Sequence, residues 1–289
     1  MKISKLLFSV NLLSTDDRGS LNMMTDLTEM RISKDKSLAT FWTPMIPVEQ
    51  KIPRVDFPDL LTKREVRVCA VDTPERLGQA GNLVKHMYAR KNYRNENIIR
   101  QTPQALTLIS YSDDRAVIGT ITISLDSSEE GLLADGNYPE ELNKMRAQGK
   151  RLCEFNALAI DASIRSKVFV ARLFHIAMLY PWGIVGHKDL VIEVTPSHSR
   201  FYKRMLGFKQ IGEERVCPRV NTPGILMYLS LEWATERIKA VGGLGVNAKG
   251  DKTLYPYFFG KADSTLILDR MRGLMNPPSF DAPILRYNG

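Results

Sequence analysis

A carboxylate, a histidine and a tyrosine stand in two short stretches of this chain: Glu154 in RLCEFNALAID, and His198 with Tyr202 in SHSRFYKRMLGF. These side-chain types take up and return protons, glutamate as a base, tyrosine as a weak acid that stays protonated at neutral pH, imidazole as either. Strand alternation puts Asn156 on the face of Glu154, so an amide stands beside the carboxylate. Each residue also has a structural reading. Glu154 could be a strand-end carboxylate paired with Arg151 or Arg219, His198 a helix cap, and Tyr202 and Phe201 two core aromatics. Arg200, Lys203 and Arg204, at i, i+3 and i+4, share a helical face from which Tyr202 is turned away, which suits a docking strip for an acidic helix or a solvated surface.

The elements that must position these groups follow one another from Arg151 to Ile211. Period-two alternation around Glu154 predicts a half-buried strand ending near Asp161. Val168 to Tyr180, VFVARLFHIAMLY, is apolar nearly all round, as a helix wedged against a sheet would be. DLVIEVTP is a second strand closed by Pro196, and a short helix carries His198 and Tyr202. Strand, crossover helix and parallel strand make a right-handed βαβ unit.

The closing FYKRMLGF, with the βαβ unit before it, resembles the last half of the GNAT acyltransferase fold. With GLLADGNYPEELNKMRAQGKRLCEFNALAID (Gly131 to Asp161) and LVIEVTPSHSRFYKRMLGF (Leu190 to Phe208), the chain resembles the N-acyl amino acid synthases, a GNAT branch related to acyl-homoserine-lactone synthases. The likeness runs from about Pro74 to Leu231, and the Gly131 to Asp161 block is its most specific part. It implies an α/β (α+β) GNAT-like fold, a mixed twisted sheet flanked by helices, and transfer of a fatty acyl group from acyl carrier protein to an amino acid's amine.

An amide forms when an uncharged amine attacks a thioester, so the site must remove a proton from an ammonium, polarise the carbonyl and receive a thiolate. The resemblance assigns Glu154 to the ammonium and Tyr202 to the sulfur. It also marks YARKNY (Tyr88 to Tyr93) as part of the substrate cleft. Arg90, Tyr93, Asn156, His198 and Phe201 are the expected substrate contacts. The start of the apolar helix, ASIRSKVFVA, lacks the glycine-rich turn that would cradle the pyrophosphate of coenzyme A. A carrier-protein donor has a single phosphodiester, which Arg165 and Lys167 suit, with Arg200, Lys203 and Arg204 as the docking strip. No bound cofactor and no metal site are expected.

Forty Lys and Arg against thirty-two Asp and Glu give a net charge of +8, which favours an acidic partner without naming one. The charge is spread and no nucleic-acid motif accompanies it. Cys69, Cys153 and Cys217 are far apart and odd in number, as in a reducing compartment without structural zinc. MKISKLLFSVNLL superficially suggests an export signal, but Ser9 and Asn11 break its apolar run and no cleavage site follows, so a cytoplasmic location is expected. No apolar segment is expected to approach the eighteen or so residues that span a membrane.

Residues 1–60, punctuated by Pro44, Pro47, Pro53 and Pro58, read as a leader and linker, 61–235 as the GNAT-like domain, and 236–289 as an extension packed on it. VRVCAV opens the sheet, and Thr73-Pro74-Glu75 starts a helix. Ala105–Ser110 and Ala116–Leu125 form a hairpin across SDDR, with Gly119 marking a bulge or a close approach. Pro139 to Gly149 is a short helix, ILMYLSLEW closes the sheet, and GGLGVNAKGD reads as a flexible loop. LYPYFF is too aromatic to be free. A last helix falls in Ser264 to Leu274, ended by Pro277 and Pro278.

Four positions depart from the family pattern. Thr122 and Ala157 stand where arginines are expected, Leu133 replaces a proline, and Thr195 an asparagine. The lost arginines imply an acceptor other than a standard amino acid, a substitute base such as Arg90 or Arg151, or a weakened enzyme. The competing readings are an acyl-homoserine-lactone-type autoinducer synthase, and a carrier-binding GNAT module without turnover.

Overall fold

The computed structural model describes residues 54–59, 64–93 and 99–275. Nearly all of the stretch read as leader, the export-like start, and Pro277 with Pro278 lie outside them. The chain order is β1 (Val55–Asp59), β2 (Arg64–Ala70), α1 (Pro74–Ala89), β3 (Ala105–Tyr111), β4 (Val117–Leu125), α2 (Pro139–Ala147), β5 (Leu152–Ile160), α3 (Lys167–Leu179), β6 (Asp189–Val194), α4 (Pro196–Leu206), β7 (Lys209–Gln210), β8 (Arg215–Cys217), β9 (Thr222–Ser230), α5 (Leu231–Val241) and α6 (Lys261–Met275). The sheet runs β1-β2-β3-β4-β5-β6-β9-β7, with β8 paired to β9. β5 and β6 are parallel and the other pairs antiparallel, which makes it a mixed sheet.

Side-chain alternation divides the sheet's burial into two cores. One face carries Phe155, Leu190, Ile192, Ile225 and Met227, which pack with α3, α4 and the C-terminal aromatics. The other carries Leu152, Val191 and Leu226, under Tyr138, Leu142 and Met145 of the α2 region. α1 covers the rest of that second face through Leu83, Val84 and Met87, against Ala157 and Ala159.

Local signals place the element ends. Thr73 Oγ1 accepts from Arg76 N at 3.3 Å with Pro74 in the first helical turn, so α1 starts where capping chemistry predicts. Gly119 marks a bulge as expected, and the close approach there comes from a helix of the protein itself, not from another chain or a ligand. The β3–β4 register shifts beside it, and a Cβ there would lie 2.6 Å from the Phe169 ring of α3. Ser166 caps α3 by accepting from Phe169 N at 3.1 Å.

Several expectations need correction. β1 lies within the stretch read as leader, where Val55 and Phe57 are buried; Pro58 is tolerated because β1 is an edge strand. The last long strand stops at Ser230, whose side chain accepts from Trp233 N at 3.3 Å and begins α5, so Trp233 is helical. GGLGVNAKGD contains a 3-10 turn at Gly245–Asn247, and Asp251 both pairs with Arg237 at 2.6 Å and accepts from Thr253 N at 2.8 Å. Contrary to expectation, one helix among the described residues is long and apolar enough to cross a membrane: α3 continued through a π-helical stretch to Val185. Most of it is buried in the protein, as a core helix.

LYPYFF packs on the domain. Leu254, Tyr255, Phe258 and Phe259 are buried, and the Tyr255 hydroxyl donates to Leu206 O at 2.7 Å. His175 of α3 accepts from Phe259 N at 3.0 Å and stacks on Phe258; burial pushes its pKa down to about 3, so it is a neutral structural base.

Candidate active site

The site exists because two parallel strands stop pairing. β5 and β6 are in register only at Leu152–Asp189, Cys153–Leu190 and Glu154–Val191. Past Glu154, β5 bulges against β4: Thr122 opposes Asn156 but Thr120 opposes Ala159, and Ala157 takes a left-handed φ of 47°. A bulge adds twist and turns its strand aside, while β6 stays with β9 along its whole length. The strands diverge around a cavity of about 230 Å³. Its walls come from the end of α1, from β5 and β6, from α4, and from the β8–β9 hairpin.

Glu154 sits where the strands part, with 1% of its surface exposed. Its Oε2 accepts from Leu133 N at 2.7 Å and Ala134 N at 3.3 Å, at the start of a 3-10 turn (Leu133–Gly136). Burial pushes its pKa up to about 7, and Glu193 adds to the rise, against the pull of Arg219 and the two amides. The carboxylate is therefore poised to exchange a proton near neutral pH. It is not ion-paired with Arg151, whose exposed guanidinium donates to Val185 O at 3.1 Å. Arg219 instead pairs with Glu193 at 2.7 Å and donates to Leu133 O. Asn137 Nδ2 donates to the other oxygen of Glu193 at 2.8 Å.

Asn156 follows on the same face. Its Nδ2 donates to Ser124 Oγ at 3.0 Å, whereas its buried Oδ1 accepts no hydrogen bond. Tyr202 comes from the other side of the sheet. Its ring meets Phe174, Phe201 and Phe208 edge to face at 5.4–6.2 Å, and burial, with Tyr88 nearby, pushes its pKa well above the ordinary phenol value. Phe201 and His198 also line the cavity. His198 Nδ1 lies 2.9 Å from Thr195 Oγ1, which ties the ring to the start of α4.

At the end of α1 the expected residues shift by one. Tyr93 lines the cavity and meets Tyr88 edge to face at 5.6 Å, but Arg90 is exposed at the helix end and outside the lining. Lys91 lines it instead, half-buried, its pKa lowered by desolvation, with no ion pair among the described residues. Neither proposed substitute base, Arg90 or Arg151, therefore faces the cavity; among the described residues its cations are Lys91 and Arg219. The two positions expected to carry arginine hold small side chains, and Ala157 lines the cavity. Thr122 is buried with its hydroxyl 2.8 Å from that of Thr107, and Ala157 packs against α1.

Arg165, Arg200, Lys203 and Arg204 are exposed, and Lys167 lies over the Tyr257 ring at 5.8 Å. Arg200 lies midway along α4 and Lys203 and Arg204 in its last turn, whereas Arg165 and Lys167 stand at the start of α3, by the carboxyl end of β5. At that end Asp161 Oδ1 accepts from Ser163 N at 2.8 Å and Ser163 Oγ at 2.6 Å. Among the described residues no group of His, Cys, Asp and Glu could hold a metal ion.

Glu193 and the turn amides were not identified from sequence, and Lys91 and Tyr88 only as members of the YARKNY stretch marked as part of the cleft. Alternation along DLVIEV would have found Glu193, two residues beyond Val191, once the parallel register with Glu154 is known.

A family model described as N-acyl amino acid synthase FeeM matches residues 79–230. The structure of FeeM, an N-acyl amino acid synthase from uncultured soil microbes, is similar with a TM-score of 0.56 and 26% identity, over 61% of this chain and 95% of that one. An uncharacterized protein from Bacillus halodurans gives 0.46 and 13% over 64% and 94%, and an acyl-CoA N-acyltransferase from Pseudomonas aeruginosa 0.42 and 11% over 58% and 99%. No curated protein matches the chain.

Proposed function

The chain belongs to the FeeM family of N-acyl amino acid synthases, and from that membership we propose that it transfers a fatty acyl group from acyl carrier protein to an amino acid bound between Glu154 and Lys91. The observation that carries this reading is a buried carboxylate with a pKa near 7 at the mouth of a cleft opened between two parallel strands. The acceptor's ammonium meets Glu154, and its carboxylate meets Lys91, the cavity cation that has no acidic partner among the described residues.

Glu154 takes one proton from the ammonium, and the freed amine attacks the thioester carbonyl. The C–N bond forms, the tetrahedral intermediate collapses, the C–S bond breaks, and the electron pair leaves on sulfur. Tyr202 donates a hydrogen bond to the developing thiolate. Its raised pKa makes it a poor source of a whole proton, so the second proton from nitrogen ends on the carrier thiol. Beyond Glu154 the β5 edge facing the cleft has no strand partner among the described residues, so its backbone groups are available to the extended arm of the donor, since buried amides and carbonyls need partners. Holding both reactants in line can supply about 7 to 11 kcal/mol of the barrier reduction, which is why so few side chains carry the chemistry.

Two features favour a carrier protein over coenzyme A. The loop before α3 has no glycine and commits its Ser163 amide to Asp161, placing a carboxylate where a pyrophosphate would need bare amides. Exposed Arg165 before α3 and exposed Arg200, Lys203 and Arg204 on α4 match an acidic protein surface. The test is to incubate purified protein with a panel of amino acids and either acyl carrier protein or coenzyme A thioesters, and to read N-acyl products by mass spectrometry. Product only from the carrier thioester supports the whole reading; product only from coenzyme A would reject the donor, and no product from either would reject the activity.

A further inference from the structure

Glu154 is held by backbone rather than by a cation, so whatever fixes that backbone governs the carboxylate. Its two amide donors, Leu133 N and Ala134 N, open the 3-10 turn Leu133–Gly136. The turn is clamped from outside the cavity. Asp135 Oδ2 accepts from Leu132 N at 2.7 Å, and Arg146 of α2 grips both oxygens of Asp135 at 2.6 Å. The same guanidinium takes both oxygens of Asp126 at 2.7 and 2.8 Å. Asp126 N donates to Leu152 O at 3.1 Å, which ties the clamp to the first residue of the strand that carries Glu154. Arg100 donates to Glu130 O and Gly131 O at 3.0 Å and braces the approach to the turn.

We propose that Arg146 is a positioning residue for Glu154: through Asp135 it sets the Leu133–Gly136 turn, and the turn's two amides hold the carboxylate in its proton-accepting form. The inference rests on the reading of Glu154 as the base. An amide aimed at a carboxylate favours the charged form, so loosening the turn makes Glu154 harder to ionise. The other groups around the carboxylate are accounted for. Arg219, beyond β8, pulls toward ionisation and Glu193 of β6 opposes it. Lys91, Tyr88 and Tyr93 face the cavity from the end of α1, His198 and Tyr202 from α4, and Cys217 from β8. Arg219 touches the turn itself by donating to Leu133 O, but among the described residues none of these groups bonds to Asp135, Arg146 or Asp126, so a change made at Arg146 reaches Glu154 through the turn.

One substitution deletes a donor with little other change. Leu133 is the first residue of the turn, where proline's fixed φ fits and its missing N–H breaks no helical bond. Leu132 before it is extended, with φ −107° and ψ 161°, the conformation proline requires of its predecessor. Leu133→Pro therefore removes the 2.7 Å bond to Glu154 and keeps the turn, while Leu133→Ala trims the side chain and keeps the N–H.

The experiment is the pH profile of kcat/KM for the wild type, Leu133→Pro, Leu133→Ala and Arg146→Met, with thermal melts to confirm folding. The acidic limb moves up by about one unit in Leu133→Pro, tenfold lost activity on that limb and recovery at high pH, and moves in the same direction in Arg146→Met. It stays in place in Leu133→Ala. A pH-independent loss in Leu133→Pro, with the limb unmoved, overturns the proposal; if Arg146→Met does not fold, Leu133→Pro decides alone. A limb that persists in Glu154→Gln rejects Glu154 as the base instead. Carbon-13 titration of the Glu154 carboxyl in the wild type and Leu133→Pro then tests the turn without reference to catalysis: an equal pKa in both overturns the role of the amide.

Discussion

Glu154 and Tyr202 line one cavity from opposite faces of the same sheet. Glu154 shares its face with Leu152 and Val191, under the α2 region, while Tyr202 packs on Phe174 of α3 behind the other face. Such groups could not meet across an intact sheet. They do so here because β6 leaves β5 just past Glu154. In the proposed reaction, a substrate threaded through that gap would have Glu154 as proton acceptor on one side and Tyr202 as hydrogen-bond donor on the other, which matches a reaction that loses protons at nitrogen and gathers charge at sulfur.

Glu154→Gln should lower kcat/KM by about 10² to 10⁴, the range for a positioned general base. Stability should move the other way. The wild-type carboxyl has a folded pKa of about 7 against an ordinary 4.5, so the folded state is penalised wherever the unfolded chain is ionised. The penalty begins near pH 4.5 and is complete above pH 7, and glutamine escapes it. Thermal melts at pH 8 should place the variant above the wild type by on the order of 1–3 kcal/mol, converging at pH 4. A variant less stable at pH 8 would show that the amide bonds outweigh the burial.

Tyr202→Phe keeps the ring between Phe174, Phe201 and Phe208 and removes only the hydroxyl. If that hydroxyl serves the leaving thiolate, kcat falls by about 10- to 100-fold with little change in the acceptor's KM, because the hydrogen bond strengthens only as charge develops. A fall confined to KM would instead make Tyr202 a binding residue.

Lys91→Met should raise the KM for amino acids by about tenfold or more, the loss of one charge-assisted contact. The same variant should treat the corresponding amino acid amides almost as the wild type does. An equal penalty for both acceptors would show that Lys91 does not hold the carboxylate.

What the sequence disclosed was decided by whether side chains or backbone do the work. Glu154, Asn156 and Tyr202 were legible because each interrupts a short patterned stretch with a polar or acidic group, and alternation says which share a face. Lys91 was missed in favour of Arg90 because periodicity ends at a helix terminus: Arg90 caps α1, and Asn92, with φ 55°, turns the chain, so the next residue inward is set by the turn. Glu193 needed the β5–β6 register, which only the fold supplies. The Leu133 and Ala134 amides have no side-chain signature at all. Asp135 and Arg146, eleven residues apart across a turn and a helix, follow no local spacing. The parallel pair and the helices flanking it were readable, since their apolar patterns are long; β1 was hidden by the prolines around it.

Reversing charge on the exposed side of α4 tests the donor. Arg200, Lys203 and Arg204 project from the exposed side of α4, whose opposite side buries Phe201, Tyr202 and Leu206. Charge reversal there leaves the packing of Tyr202 alone, so an effect on the carrier is separable from one on chemistry. Arg200→Glu with Arg204→Glu should raise the KM for acyl carrier protein about tenfold or more at low salt, with the acceptor's KM unchanged. Because exposed charges are screened over about 8 Å at physiological ionic strength, the gap between variant and wild type should narrow as salt is added. Arg165→Glu, beside α3, should behave alike if the phosphodiester enters at that helix start. Unchanged carrier kinetics in the α4 double variant would remove that helix from the docking surface and leave Arg165 and Lys167 as its anchors.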